Sequence, residues 1–579
     1  MFPKIPLDRW VESVISWFNT YFAFLFDFFS FIISGIVGGF TFLFHAFPAL
    51  IVIVLLTLLA YYFGRWRLAL FAVLGLLLIL NLGYWDPTMD TLALVLTSAL
   101  ISIILGLPLG IWCARNRSVR STLTPMLDFM QTMPAFVYLI PAVTFFGLGV
   151  VPGVIASVIF SIPPTIRLTN LGILQVPDDL VEAADAFGST PAQKLFKVQF
   201  PLALPTILAG INQTIMLSLS MVVIASMIGA QGVGADVYRA VTQLKTGQGF
   251  EAGLAVVVLA ILLDRLTQNL IVGKKRKGKT SFPLKMPLVI AAVVAFCIVA
   301  IFIGIGKKAP VSTSAFVGDQ VGYSIIGIDP GSGLMNATEK AIKAYNLTSW
   351  KLIEGSSTAM TIALDRAYQE GKPIIVTGWS PHWMFAKYDL KYLADPKNVF
   401  GGDEEIHTIA RLHLQADQPS AYQFLDNFQW KPADMEQVMA KTQEGQKPEE
   451  AASQWVETNP DKVNAWVSGI PKVEGKRLKL AYVAWDSEIA STHVVKYVLE
   501  SKLGYQVDML QVEAGPMWAG IASGDADAMV AGWLPTTHQD YDEKFKGKFE
   551  DLGPNLIGTK LGLVVPTYMN ITSIEELVK

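Results

Sequence analysis

The sequence predicts two unlike parts in one chain: a polytopic α-helical membrane domain of about eight crossings, then a water-soluble α/β domain of two lobes. Three observations carry that prediction. Of 45 basic and 48 acidic side chains in 579 residues, only 32 fall in residues 1–305 and 61 in 306–579. Apolar runs long enough to cross a hydrocarbon core recur in the first part. The second part alternates short apolar runs with helical patterns, the sign of strand–helix units. The net charge of −3 hides 19 basic against 13 acidic residues before position 306 and 26 against 35 after it, and neither balance implies a nucleic-acid partner. Cys113 and Cys297 both lie in apolar runs, so no disulfide framework or cysteine metal site is predicted.

Residues 1–46 come first. They are apolar but interrupted by Asp8, Glu12, Ser16, Asn19, Asp27, Ser30 and Ser34, mostly at helical spacing, which draws a polar stripe along one face. This predicts an amphipathic helix lying on the membrane surface, with a ninth crossing as the alternative. No basic region followed by a small-residue cleavage site marks a signal peptide. The membrane domain then spans 47–305. Crossings are predicted at 47–64, 68–84, 90–113, 203–230, 250–272 and 286–305, with two less regular ones between 122 and 166. Basic residues sort the loops: Arg65 and Arg67; Arg115, Arg117 and Arg120; Arg167 with Lys194 and Lys197; and the cluster at 274–279. The positive-inside rule makes these loops cytoplasmic and puts everything after residue 306 outside. Asp128, Gln131, Asn212, Gln213 and Asp264 fall in or beside apolar runs, where they either line a path or tie helices together.

The loop at about 177–201 carries Glu182-Ala183-Ala184, Gly188 and Val198-Gln199-Phe200-Pro201. Small alanines let a short helix seat in a partner's groove, while Gly188 and Pro201 set the turn and the exit. This spacing resembles the Glu-Ala-Ala loop of ABC-importer permeases, with Phe200 where that pattern has Leu. The stretch 273–280 matches the P-loop expression but follows a membrane helix rather than a buried strand, so it is read as a basic anchor. An energy-coupling ATPase is therefore expected to be a separate chain.

A linker at 306–315 leads to the external domain at 316–579. Its sequence repeats internally: Ser357 through Gly378-Trp379-Ser380-Pro381-His382 parallels Gly515 through Gly532-Trp533-Leu534-Pro535-Thr536-Thr537-His538, and Tyr323 to Tyr345 parallels Ala481 to Tyr505. Two similar lobes around a cleft fit a hinged ligand-closing domain. Trp379, Trp485 and Trp533 each end an apolar run, at the strand edge where open α/β folds bind ligands. Converging indole faces would form a box for a cation that has no N–H to donate. The turn Asp329-Pro330-Gly331-Ser332-Gly333-Leu334 opens a helix, and backbone N–H groups there suit an anion. A cation box beside an anion cradle describes a zwitterion. The other six tryptophans of this domain, Trp350, Trp383, Trp430, Trp455, Trp466 and Trp518, are read as packing, and Asp486 as a cap on the helix that follows Trp485, with a direct charge contact to the ligand as the alternative.

Residues 378–388, 484–492 and 561–566 resemble the glycine-betaine binding proteins of osmoprotectant ABC importers. Met130-Gln131-Thr132-Met133-Pro134 and residues 221–229 are similar to their permease, so the resemblance covers nearly the whole chain. It implies a periplasmic-binding-protein-like external domain, a box of Trp379, Trp485 and Trp533, and a carboxylate site made by the backbone N–H of Gly333 and Leu334 with the imidazole of His538. His382 is the repeat-related rival of His538. The resemblance further implies coupling to an ATPase through Glu182, Ala183, Ala184, Gly188 and Pro201. The expected partners are an ABC ATPase dimer carrying ATP and Mg, a second copy of this chain, membrane lipids and a small zwitterionic quaternary-ammonium ligand, with no cofactor or metal on this chain. The expected setting is the cell membrane of a Gram-positive bacterium, with the binding domain extracellular. A receptor that senses quaternary amines without moving them is the alternative. An enzyme is disfavoured, since no nucleophile–base pair or metal cluster is legible.

Overall fold

The computed structural model describes residues 7–272, 316–402 and 404–578. The predicted crossing at 286–305, the basic stretch at 273–280 and the linker at 306–315 lie outside the described residues. The chain divides into two compact units, one of membrane helices and one holding the α/β domain.

In the membrane unit, five helices among the described residues are long and apolar enough to cross a bilayer: Trp17–His45, Ala49–Asn81, Trp85–Arg115, Val150–Leu174 and Pro191–Ser226. The pair Arg117–Thr132 and Ala135–Phe146, bent by 106°, adds a sixth if it is one broken span. Ala49–Asn81 is helical for 33 residues, but its backbone breaks at Arg65 (φ 59°, ψ −162°), between the two predicted crossings 47–64 and 68–84. The helix Thr246–Val272 occupies the predicted crossing at 250–272. The N-terminal segment is a single helix, Leu7–His45. Its later part buries Ile33, Ile36 and Phe44, and Phe26 stacks on Phe145 with centroids 4.5 Å apart, so the stretch read as interfacial also has the length and packing of a crossing.

Trp85–Arg115, Val150–Leu174 and Phe200–Ser226 form the centre of this unit. Small residues let them meet closely: a Cβ at Gly110 would lie 2.8 Å from the Ile166 carbonyl oxygen, and one at Gly210 3.0 Å from that of Pro164. Hydroxyls seal the contact, with Thr214 donating to Ser161 O at 2.8 Å and Ser218 to Ser161 Oγ at 3.0 Å. Two of the polar residues singled out above tie helices together: Asn212 donates to Asp264 at 3.0 Å, and Gln268 to the same carboxylate at 2.7 Å. Asp128 pairs with Arg167.

The loop around Glu182 is a short helix, Asp178–Ala186, with Glu182 and Ala183 exposed and Ala184 buried. Gly188 closes it at φ 70°, a left-handed conformation that glycine adopts without strain. Thr190 and Gln193 then form a reciprocal capping box that restarts the helix toward Pro201.

The α/β unit is built on nine strands: β1 (Ser324–Ile326), β2 (Lys351–Ile353), β3 (Val376–Ser380), β4 (Leu390–Tyr392), β5 (Glu404–Arg411), β6 (Arg477–Tyr482), β7 (Gln506–Gln511), β8 (Ala528–Leu534) and β9 (Phe549–Pro566). Their order is β2-β1-β3-β9-β5-β8-β6-β7, with β4 also on β9. The internal repeat is a repeat of topology. In the first lobe β1 is parallel to β2 and β3; in the second, β6 is parallel to β7 and β8. The helices Gly333–Ala344 and Asp486–Ser501 are the equivalent crossovers, as are Ser357–Gln369 and Ala514–Ser523. The 18-residue β9 serves both lobes, pairing with β5 through its first half and β3 through its second.

Between β5 and β6 the second lobe carries helices of which four open on a proline, Pro419, Pro432, Pro448 and Pro460. Trp430, Trp455 and Trp466 pack among them, the last two stacked with centroids 5.9 Å apart. Trp350 is also interior, its Nε1 donating to Leu577 O at 2.9 Å. Trp383 departs from the packing role expected of it, for a reason that lies at the cleft.

Candidate ligand-binding site

Trp379 is next to last in β3 and Trp533 next to last in β8, so equivalent strands of the two lobes deliver equivalent rings. Trp485 stands three residues beyond β6, as the residue that caps the helix Asp486–Ser501. The three line one pocket with Ile328, Ser332, Leu334, Thr537 and Leu561, drawn in around a cavity of about 10 Å³. Trp379 and Trp485 lie 6.4 Å apart between centroids at 52°.

All three box indoles are anchored by their N–H edge. Trp379 Nε1 donates to Ser487 Oγ at 3.3 Å, Trp485 Nε1 to Asp329 Oδ2 at 3.1 Å and Trp533 Nε1 to Glu488 Oε1 at 2.6 Å. The first two cross between the lobes. With the N–H edges satisfied, what the rings offer the pocket is π surface, and the Asp329 carboxylate behind Trp485 adds negative potential. Burial pushes the Glu488 carboxyl up to about 8. Burial together with Asp329 pushes Glu513 up to about 7.

A second set of bonds crosses the cleft outside the box. Asp486 accepts the Trp383 Nε1–H at 3.0 Å and lies 3.5 Å from His382 Nε2. Burial would raise its carboxyl, but the bonds from His382 and Trp383 outweigh burial and hold it below the ordinary range. Two sequence expectations are corrected here. Trp383 is not simple packing, and the Asp486 side chain reaches across to the first lobe instead of serving only as a cap.

The opposite end of the pocket has donors. The helix Gly333–Ala344 begins with Ser332 as its cap, and its first intrahelical bonds come from Met335 and Asn336, which leaves the Gly333 and Leu334 N–H groups ahead of the ladder. A Cβ at Gly333 would fall 1.6 Å from Thr537 O, so only glycine lets the two segments meet. Thr537 presents a buried hydroxyl without a hydrogen-bond partner. His538 is fully buried, and its Nδ1 accepts the Trp533 backbone N–H at 3.1 Å. That assigns the ring proton to Nε2, which is also without a hydrogen-bond partner. Burial drives this imidazole down to about 3, so it is a neutral N–H donor.

The tryptophans and Leu334 thus share one pocket, while Gly333 and His538 stand just behind its walls. The His538 ring is stacked on Trp485 at 6.0 Å and 21°, and Gly333 lies against Thr537. Sequence reasoning missed Asp329, Ser487, Glu488 and Thr537. For Glu488 a signal existed: an acid entering the run Ile489-Ala490-Ser491-Thr492, whose neighbours are small or apolar.

Fold and site define a hinged, two-lobed small-molecule receptor domain on a chain that also carries a helical membrane unit. The family described as the substrate-binding domain of the ABC-type glycine betaine transport system matches residues 307–458 and 476–579, and the inner-membrane component of binding-protein-dependent transport systems matches 106–273. A glycine betaine/carnitine transport binding protein of Listeria monocytogenes is 52% identical over 293 residues, covering 50% of this chain and 97% of that protein. A glycine betaine transport permease of Bacillus subtilis is 57% identical over 280 residues, covering 48% of this chain and 98% of that protein. A glycine betaine/proline betaine permease of Escherichia coli is 50% identical over 264 residues, covering 46% of this chain and 75% of its own length. The chain belongs to the glycine betaine ABC transport family, with membrane component and substrate-binding domain in one polypeptide.

Proposed function

We propose that this chain is the permease and substrate-binding subunit of an ATP-driven importer of glycine betaine or a related quaternary-ammonium solute. The observation that carries the reading is the set of three indoles anchored by their N–H edges around one pocket. A trimethylammonium head has no proton to donate, so it is recognised by π faces and nearby negative charge. Its carboxylate is received at the other end by the Gly333 and Leu334 N–H groups and by Nε2–H of His538, with the Thr537 hydroxyl beside them.

The magnitudes are adequate. Cation–π contacts contribute ~0.5–2 kcal/mol each, and hydrogen bonds to a charged group ~1.5–3 kcal/mol. Micromolar affinity needs about 8 kcal/mol, from which lobe closure must be subtracted.

In this reading residues 316–579 face the exterior, 47–305 form the pathway and 306–315 tether the two, while residues 1–46 lie at the membrane surface. Two copies of the chain sit on a separate ATPase dimer. The exposed Glu182 and Ala183, with the turns at Gly188 and Pro201, present a short helix for that ATPase to push.

Calorimetry of the full-length chain in lipid nanodiscs tests the ligand. Glycine betaine should bind in the micromolar range and choline, which has the head without the carboxylate, should bind more weakly. Equal affinities would remove the carboxylate site from the reading, and no binding of either would remove the box.

A further inference from the structure

Glu488 anchors the Trp533 ring, but the binding reading makes no use of its own protonation. It is fully buried at the start of the helix Asp486–Ser501. One carboxyl oxygen accepts the Trp533 indole N–H at 2.6 Å, and the other has no hydrogen-bond partner. Among the described residues no lysine or arginine compensates it; besides burial, Trp533 and Ser487 act on it. An uncompensated buried carboxylate is costly to keep ionised. A neutral carboxyl in the same place leaves an O–H without an acceptor. Neither state is comfortable by itself.

The ring that Glu488 holds is a wall of the pocket. An indole whose N–H is bonded to a carboxylate is more electron-rich than one bonded to a neutral acid. A cation against its face therefore favours the ionised carboxyl through both the ring and the field.

Resting on the reading of the box as a cation site, we propose that Glu488 is a proton-linked counter-charge. The quaternary head, on entering between the indoles, draws Glu488 from carboxylic acid to carboxylate, and the released proton passes to solvent.

Burial holds the carboxyl protonated up to about 8, which supplies the proton to be released. The surrounding titratable groups are otherwise engaged. At the same helix end Asp486 is held by Trp383 and His382. Behind Trp533, His538 stays neutral. Further along the helix, His493 faces Tyr482 of β6 and Glu449, Tyr497 bonds Glu457, and Glu500 lies 4.0 Å from Lys496 and accepts the Val507 N–H of β7. On the helix Pro432–Gln443, Asp434 is paired with Lys462.

Calorimetric titration of the full-length chain with glycine betaine, at pH 7 in buffers of different ionisation enthalpy, should show close to one proton released per ligand bound. Affinity should tighten by up to tenfold per pH unit as pH rises toward about 8 and then level off. Glu488→Gln keeps an oxygen for Trp533 but has no proton to lose, so both the released proton and the pH slope should vanish. Wild-type binding without proton release, or release undiminished in Glu488→Gln, would overturn the proposal. The wild-type proton count and pH profile decide it even if the variant does not fold. Absence of any glycine betaine binding would overturn the box, whereas binding without a proton would overturn only the role of Glu488.

Discussion

The two lobes repeat the same strand-end sequence and use its histidine differently. In the first lobe Trp379-Ser380-Pro381-His382 places the imidazole so that its Nδ1 accepts the Met384 N–H and its Nε2 faces Asp486 across the cleft. In the second, Trp533-Leu534-Pro535-Thr536-Thr537-His538 is longer by a Thr pair. Its imidazole turns back so that Nδ1 accepts the Trp533 N–H and Nε2–H is left without a hydrogen-bond partner. A short insertion thus separates two placements that a symmetrical duplication would have merged: one imidazole faces a carboxylate of the other lobe, the other keeps a buried ring nitrogen without a hydrogen-bond partner.

The largest expected effects fall on the tryptophans, where the lobes are still alike. Trp379→Ala and Trp533→Ala should each weaken glycine betaine binding by about tenfold or more, since ~1.4 kcal/mol is one decade. Comparable losses by calorimetry would support equivalent walls, and Trp485→Ala should match them. Unchanged affinity in all three variants would dissolve the box.

The histidines should then part. His538→Ala should cut the preference for glycine betaine over choline by about tenfold, the worth of one hydrogen bond to a charged group. His382→Ala should leave that preference intact. A preference lost in the His382 variant and kept in the His538 variant would reverse the assignment of the two lobes.

Asp486→Ala removes the acceptor that both Trp383 and His382 face across the cleft. Ligand release, followed by stopped-flow fluorescence, should quicken by about three- to tenfold, or ~1 kcal/mol, with the glycine betaine to choline preference unchanged. Asp486→Asn, which keeps an acceptor for Trp383, should have the smaller effect. An unaltered release rate in the alanine variant would deny Asp486 any part in holding the lobes together.

A separate effect falls on stability against pH. His538 is held neutral down to about 3, whereas an unfolded histidine takes up its proton near ~6.5. The unfolded state therefore binds more protons in that interval, and stability contributed by the neutral ring is lost as pH falls from ~6.5 toward 3. Thermal unfolding should follow that slope in the wild type, and His538→Gln should flatten it. His538→Gln with the wild-type slope would assign the acid sensitivity elsewhere.

Much of this was legible because periodicity and repetition are local. The equivalence of β3 with β8, and of the two crossover helices, is written in matching runs of small, apolar and aromatic residues. The anchors behind the rings were not, because they join residues far apart in the chain: Asp329 holds Trp485 and Glu488 holds Trp533. Sequence spacing set Asp486 beside Trp485 and suggested a cap, while folding aims its carboxylate at Trp383. In the membrane half, hydropathy found the runs at 47–64 and 68–84, with Arg65 and Arg67 between them. Only the backbone shows the chain breaking at Arg65 within one helical stretch. Polar residues scattered through 8–46 suggested a surface helix, although Trp17–His45 is apolar enough on average to cross.

Gly333 carries a further consequence. Its segment belongs to the first lobe and Thr537 to the second, and the space a methyl group would need is already taken by the Thr537 carbonyl oxygen, 1.6 Å away. The missing side chain is a depth gauge for the hinge. With any larger residue at 333 the jaws would meet backbone before they finished their travel, and the domain would rest ajar, its rings spaced for a bulkier guest and its doorway wet. A single hydrogen atom in place of a methyl sets how far this receptor can shut.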